Sequence, residues 1–292
     1  MNWLAQLTNW LRPSFMIHLK SQREIDRMRE SADLVGRTLA EVAHHVDVGV
    51  TLLELDAVAE DYIRTHDATP AFKGYQVGSN VFPNTLCTSV NDAVVHGIPD
   101  DYALQDGDVL SVDCGVKLND YYGDTAYTFL VGTPSDEDVA LCRATYDALH
   151  RGIDQAMVGK RVGDIGAAVQ SFCEAEGYGV VRDLVGHGIG RSLHEDPQVP
   201  NYGRPGKGRR LKQGLTVCIE PMVNRNTPEV NTDPDGWTIR SADGQPSAHY
   251  EHTVVVRDGA AEVISTFAYI EDVLASVPYE INERTQQPTA NG

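Results

Sequence analysis

Two aspartates, Asp113 and Asp124, stand in "DVLSVDCGVKLNDYYGDTAYTFLVG" (Asp108–Gly132), a run that reads as two strands joined by a turn. Leu110, Val112, Cys114 and Val116 alternate onto one apolar face and leave Asp113 on the other, with Ser111 and Gly115. If the chain folds back near Leu118–Asn119, Asp113 and Asp124 face each other across a hairpin. Opposed strand residues hold their Cβ atoms roughly 4.5–5.5 Å apart, where like charges repel. A divalent cation between them reverses the sign of that interaction. Taken alone, the pair reads equally well as a turn cap at Asp124 and a solvent-facing side chain at Asp113.

Two glutamates alter that balance. Glu220 ends the apolar strand "LTVCIEPM", and Glu251 is expected inside another, "HYEHTVVV". A carboxylate within a half-buried strand is costly unless it is paired or bound to metal. Singly, each reads as a solvent-face residue. Together, two Asp, two Glu and one nearby His form an oxygen-rich set suited to a pair of divalent ions. Such pairs sit about 3.5–4 Å apart and act in hydrolysis. An oxygen-dominated shell favours Mn, Fe or Co over a sulfur-type zinc site.

The histidines come from "LVGHGIGRSLHEDPQ" (Leu184–Gln198), which carries His187 and His194. Positions seven apart share one face of a helix. Gly186, Gly188 and Gly190 argue against a helix here, because each costs about 1 kcal/mol relative to alanine in a helix interior. They are expected instead to let the backbone pass close to the metal pair, where a side chain would collide. The remaining histidines near these motifs read as structural: His44 and His45 on a helix surface, His249 and His252 as flanks of the Glu251 strand. Cys114 and Cys218 read as small apolar residues within strands.

Helices and strands must bring these residues together. From Ser21, Ile25, Met28, Ala32, Val35, Leu39 and Val42 recur at helical spacing, with Ser21 and Glu24 as a capping box. A second helix is predicted after Thr51, and another pair over Asp136–Met157 and Gly163–Glu176. Val48-Gly49, Glu54, Leu55, Ala57 and Tyr62 match Val158-Gly159, Asp164, Ile165, Ala167 and Phe172 at a constant offset of 110. That pattern predicts an internal duplication with a site between two halves. Strands are predicted at Thr85–Val90, Asp108–Val116, Tyr121–Val131, Leu215–Ile219, Trp237–Ser241 and Tyr250–Arg257. Short turns join several of them, so the fold class is α+β, with helices covering one face of an antiparallel sheet.

Composition limits the function. With 41% hydrophobic and 23% charged residues, the chain of 292 residues matches soluble globular proteins. A net charge of −18 argues against a broad nucleic-acid-binding surface. "NYGRPGKGRRLKQG" (Asn201–Gly214) is a basic loop against that background. Five scattered cysteines without a C-x-x-C pair point to reduced thiols in the cytoplasm. No apolar run approaches the ~20 residues that span a bilayer. The opening "MNWLAQLTNWLRPSF" is expected to be a short extension rather than a membrane-surface helix, because Met16 starts a new pattern. The domain plan is therefore an extension over 1–15, one catalytic domain over 16–270, and a partly disordered tail over 271–292.

"NDAVVHGIP", "VDCG", "GDTAYTF", "GHGIGRSLHEDP", "VCIEPM" and "HYEHTVVV" occur in an order and spacing that resemble type I methionine aminopeptidase, over about residues 16 to 265. The resemblance implies a pita-bread fold of two pseudo-symmetric halves. It implies that Asp113, Asp124, His187, Glu220 and Glu251 ligate two divalent ions (Co, Mn, Fe or Zn), with Asp124 and Glu251 bridging them. Glu220 would take up a proton from the attacking water, His194 would bond the carbonyl side of the scissile bond, and His96 would contact the scissile amide. Tyr75, Cys87 and Trp237 would line a pocket for methionine. Phe72 stands where bacterial relatives often carry Cys, Leu193 where they often carry Phe, and "YQVGSNVFPN" is slightly longer than usual. The implied activity removes N-terminal methionine from nascent chains at the ribosome when the second residue is small. The protein would act as a cytoplasmic monomer without nucleic-acid specificity or stable membrane association. Rival readings are an X-Pro aminopeptidase or prolidase of the same fold, and a non-catalytic binding protein that reuses it.

Overall fold

The computed structural model of the chain describes residues 17–275. The expected extension over 1–15 and most of the expected tail lie outside them. The first long helix, α1 (Gln22–Ala43), begins where Glu24 accepts hydrogen bonds from the backbone N and Oγ of Ser21, both at 2.9 Å. Its buried stripe carries Ile25, Met28, Ala32, Val35, Leu39 and Val42. Each fully buried large side chain of this kind contributes about 1.5–3 kcal/mol relative to exposure. α2 (Leu52–Thr65) opens with the reciprocal bonds of Thr51 and Glu54, at 3.2 and 2.8 Å. α3 (Asp136–Ile153) is capped by Ser135, and α4 (Val162–Ala175) by Asp164, which accepts from the backbone of Arg161 at 2.7 Å. A short α5 (Ala268–Leu274) packs on α1 and runs across the boundary drawn at residue 270.

The offset of 110 holds at the level of whole elements. α2 and α4 are both 14 residues long and map onto each other end to end, 52 to 162 and 65 to 175. α1 and α3 end at 43 and 153, and the glycines that follow, Gly49 and Gly159, take φ of +90° and +94°. The strand pieces Thr69–Pro70 and Gly179–Val180 keep the same spacing. In the first half, Val109–Leu118 pairs with Tyr121–Leu130, Leu86–Val90 and Thr69–Pro70. In the second half, Thr216–Ile219 pairs with His252–Val255, and Met222–Asn224 pairs with Ser247–His249 and Gly179–Val180. All these ladders are antiparallel. The helices cover them, as the α+β reading predicts: α1 lies on the first hairpin, and α3 and α4 pack together over the second half.

One large core runs through both halves. Tyr127 of the first hairpin meets Phe129, Tyr250 and Phe267, with ring centroids 5.0 to 5.1 Å apart. A smaller cluster includes Phe72, Phe82, Cys87, Ile189, Leu193 and Trp237, and it borders the site. No helix among the described residues is long and apolar enough to cross a membrane. All five cysteines are free and buried.

Candidate metal centre and active site

The first hairpin turns at Asn119 and Asp120, both in the left-handed region (φ 52° and 68°), so Leu118 pairs with Tyr121. Two positive φ values mark the tight turn that matches strand twist. The turn lies one residue beyond the expected point, which moves every cross-strand partner by two. Asp113 therefore faces Ala126, and Asp124 faces Gly115. The two aspartates are diagonal neighbours rather than opposed ones. A shift of two preserves the face, and their carboxyl groups still meet in a hydrogen bond.

The glutamates are positioned differently. Glu220 follows Thr216–Ile219 and precedes Met222–Asn224, with Pro221 between. Glu251 lies between Ser247–His249 and His252–Val255, not inside a continuous strand as the sequence suggested. Ile219 pairs with His252 and Met222 with His249, so one register spans the gap and leaves Glu220 and Glu251 across from each other. Pro221 has no N–H to give to a ladder. The freed backbone groups bond elsewhere: Glu251 N donates to Ala126 O at 3.0 Å, and Asn201 Nδ2 donates to Glu220 O at 2.9 Å. Thr253 Oγ1 donates to Asp124 O at 2.9 Å, tying the break to the hairpin.

His187 sits in the strand Gly186–Gly188, between Glu195–Val199 and Thr216–Ile219. A Cβ on Gly186 would strike Cys218 O, and one on Gly188 would strike Asp196 O. These glycines admit neighbouring backbone, which corrects the expectation that they clear space for metal. His187 Nδ1 lies 2.9 Å from Gly188 O. That bond places the proton on Nδ1 and leaves Nε2 as a bare donor atom. Nε2 points at Asp124 Oδ2, 3.8 Å away, and Glu220 Oε1, 3.6 Å away.

Burial raises the pKa of all four carboxyl groups. Asp113 is pushed up to about 7 by desolvation. Asp124, Glu220 and Glu251 rise well above the usual carboxylate range through burial and through repulsion from one another. No lysine or arginine among the described residues pairs with them. Asp113 Oδ1, Asp124 Oδ1 and Glu251 Oε1 are buried with no hydrogen-bond partner among the described residues. Burial also lowers His187 to about 4, so its ring is neutral at ordinary pH. Crowded carboxylates with unsatisfied oxygens and one neutral imidazole are the donor set of a hard or borderline divalent cation. The residues fit such an ion.

Two residues that the sequence presents as merely structural also stand at the cluster. Cys218 Sγ falls within 4.8 Å of ligand atoms of Asp124, His187 and Glu251. It stands two residues before Glu220, so strand alternation put it on the same side. His249 is 2% exposed, and its Nε2 lies 3.8 Å from Glu220 Oε2. Its place two residues before Glu251 carried the same signal. His252 keeps its structural role, with Nδ1 2.7 Å from Ser265 Oγ and its ring stacked on Phe267. His44 and His45 are exposed just beyond α1.

A cavity of about 860 Å³ opens over this cluster. Its lining includes every residue singled out from sequence: Asp113, Asp124, His187, Glu220 and Glu251 with His96, His194, Tyr75, Cys87 and Trp237. Phe72 and Leu193 line it as well. Trp237 packs edge-on against Phe82 at 5.3 Å. His96 takes φ of +58°, a left-handed conformation rare outside glycine, and burial lowers it to about 4. The His194 ring lies 4.4 Å from that of His187, and its Nδ1 lies 2.7 Å from Tyr75 Oη. Tyr75, expected only as a wall of the methionine pocket, also orients a histidine.

The profile of metallopeptidase family M24 matches residues 26–258. The methionine aminopeptidase of Clostridium perfringens is 48% identical over 250 residues, covering 86% of this chain and 99% of that one. Methionine aminopeptidase 1 of Bacillus subtilis is 44% identical over 250 residues, with the same coverage of 86% and 99%. The crystal structure of methionine aminopeptidase from Rickettsia prowazekii superposes with a TM-score of 0.83 at 38% identity, covering 86% of this chain and all of that one. The pita-bread fold, its two related halves and the carboxylate cluster between them accord with these likenesses. The chain belongs to metallopeptidase family M24 and, within it, to the methionine aminopeptidases.

Proposed function

We propose that this protein removes N-terminal methionine from polypeptides whose second residue is small, by metal-assisted hydrolysis. The observation that carries the reading is the convergence of four carboxylates and a neutral imidazole, three carboxylate oxygens lacking partners among the described residues, in a mostly apolar cavity. Asp113, Asp124, His187, Glu220 and Glu251 would hold a pair of divalent ions drawn from Co, Mn, Fe or Zn. When bound, such ions supply Lewis acidity and lower the pKa of a water.

The chain's own groups divide the remaining work. Glu220 lines the cavity beside the other carboxylates, so it is placed to take up the proton of the attacking water. Tyr75 is held in its phenol form, its pKa pushed up to about 12 by burial. As a donor to His194 Nδ1 it sets the ring's tautomer with the proton on Nε2, the group that would stabilise the developing charge on the carbonyl oxygen. His96 contacts the scissile amide and assists the leaving amine. Phe72, Cys87, Leu193 and Trp237 form the apolar wall that accepts the methionine side chain. In the cell the substrates are nascent chains at the ribosome, and the enzyme acts as a cytoplasmic monomer.

Steady-state cleavage of Met-Ala-Ser against Xaa-Pro peptides tests the specificity. The expected result is efficient release of Met and little Xaa-Pro cleavage; the reverse preference would identify an X-Pro peptidase. In parallel, His187→Ala should lose metal affinity, while His194→Ala should keep its metal content and lose turnover by about 10²–10⁴-fold. Equal loss of metal in both variants would overturn the division between them.

A further inference from the structure

The segment that carries His194 is held by a residue far from it in sequence. Residues 189–194 form a loop between the strands Gly186–Gly188 and Glu195–Val199, and His194 is its last position. Glu195 closes that loop. Its Oε1 accepts the backbone N–H of Arg191 at 2.8 Å and of Ser192 at 3.3 Å. Its other oxygen, Oε2, is paired with Lys20 Nζ, which comes from the segment just before α1. The Lys20 side chain is 1% exposed, and Nζ also donates to His18 O at 3.1 Å.

The backbone of Lys20 is fixed too, since its N–H donates to Gly214 O at 2.7 Å. A Cβ on Gly190 would run into both Lys20 Cε and Glu195 Oε1, so the loop is folded tightly around the pair. The loop's outer side is tied to the first hairpin, where Tyr122 N donates to Gly190 O at 2.9 Å. A buried ion pair is weak evidence for stability, because desolvation offsets the attraction. Its better-attested use is to fix a conformation. Here the conformation fixed is that of the loop ending at His194.

We propose that Lys20 is a positioning residue for His194: through Glu195 it sets the loop that aims the His194 ring into the cavity. The proposal rests on the reading of His194 given under the proposed function. His187 does not hang on Lys20: its strand pairs with Thr216–Ile219, and its ring is held by the Nδ1 bond to Gly188 O. Loss of Lys20 should therefore slow turnover without changing metal binding.

The test is a double-mutant cycle with Lys20→Met and His194→Ala on the metal-loaded enzyme, with Glu195→Gln as a second way to remove the ion pair. Glu195→Gln keeps an oxygen to accept the two loop amides, so it serves where Lys20→Met does not fold. Lys20→Met and Glu195→Gln should each lower kcat by about 10–100-fold, the range typical of outer partners. KM should stay within about twofold, and metal stoichiometry by calorimetry should be unchanged. In the His194→Ala background, either change should lower kcat by less than about twofold, since the residue it acts through is gone. Full multiplication of the two losses, or a fall in metal stoichiometry, would overturn the proposal. Wild-type turnover by His194→Ala alone would instead overturn the role given to His194, so the two failures are distinguishable.

Discussion

The two halves of the molecule supply carboxylates to one site by different means. In the first half, Asp113 and Asp124 sit within an unbroken ladder that runs from Val109 opposite Leu130 to Leu118 opposite Tyr121. In the second half, Glu220 and Glu251 occupy the gap between two short ladders that share one register. The hairpin fixes its aspartates through its own backbone bonds. The glutamates depend on bonds from outside their ladder: Ala126 O and Thr253 to Asp124 O on one side, Asn201 on the other. The reach of the side chain matches the device. Short aspartates project from a regular pleat, and longer glutamates extend from a break. The hairpin is thus the template, and the broken ladder is docked onto it.

The strongest way to break this comparison is at the template. Asp124→Asn keeps the shape of a side chain that is 3% exposed but removes its charge. It should reduce kcat/KM by more than the roughly 100-fold typical of an outer partner and abolish binding of at least one metal equivalent, read by calorimetry and peptide cleavage. Retention of both metal and activity would remove Asp124 from the ligand set.

A smaller effect is expected where the two halves are tied. Thr253→Val deletes the hydroxyl that donates to Asp124 O and leaves the shape of the core nearly unchanged. It should lower the free energy of unfolding in urea by about 0.5–1.5 kcal/mol. It should change KM and kcat little. A large activity loss with no stability loss would mean that this bond positions the site rather than docks the halves.

The parts of this design that follow from local pattern were legible in the sequence. The stripe from Ile25 to Val42, the caps at Ser21 and Thr51 and the repeat at offset 110 are written within a few turns of chain. The carboxylates stood out because an acid is costly in an apolar run. The turn at Asn119–Asp120 was misplaced by one residue, because several polar residues there could form it. The break at Glu251 was not legible either: Tyr250 and His252 suit a strand, and only pairing with the Glu220 segment reveals the gap. Lys20 and Glu195 are 175 positions apart, and nothing local marks them as partners. Cys218 and His249 are a different case. Alternation put both on the side of the clustered carboxylates, but a free cysteine and a flanking histidine are more often structural.

The central claim is that these four carboxylates and His187 are shaped for divalent cations. Its most direct test is a metal titration of the full chain by calorimetry, under anaerobic conditions, at pH values from 5 to 8. Asp113 is raised to about 7 in the metal-free protein, so its proton must be displaced below that pH. His187, lowered to about 4, stays neutral across the range and adds no opposing step. The raised Asp113 carboxyl contributes stability to the metal-free fold at low pH that is lost as pH rises through about 7, while metal binding requires its ionised form. Affinity and the metal-induced rise in Tm should therefore both increase from pH 5 to 8, with proton release on binding. Failure to bind any divalent ion at micromolar concentration, or binding that weakens as pH rises over this range, would contradict the account.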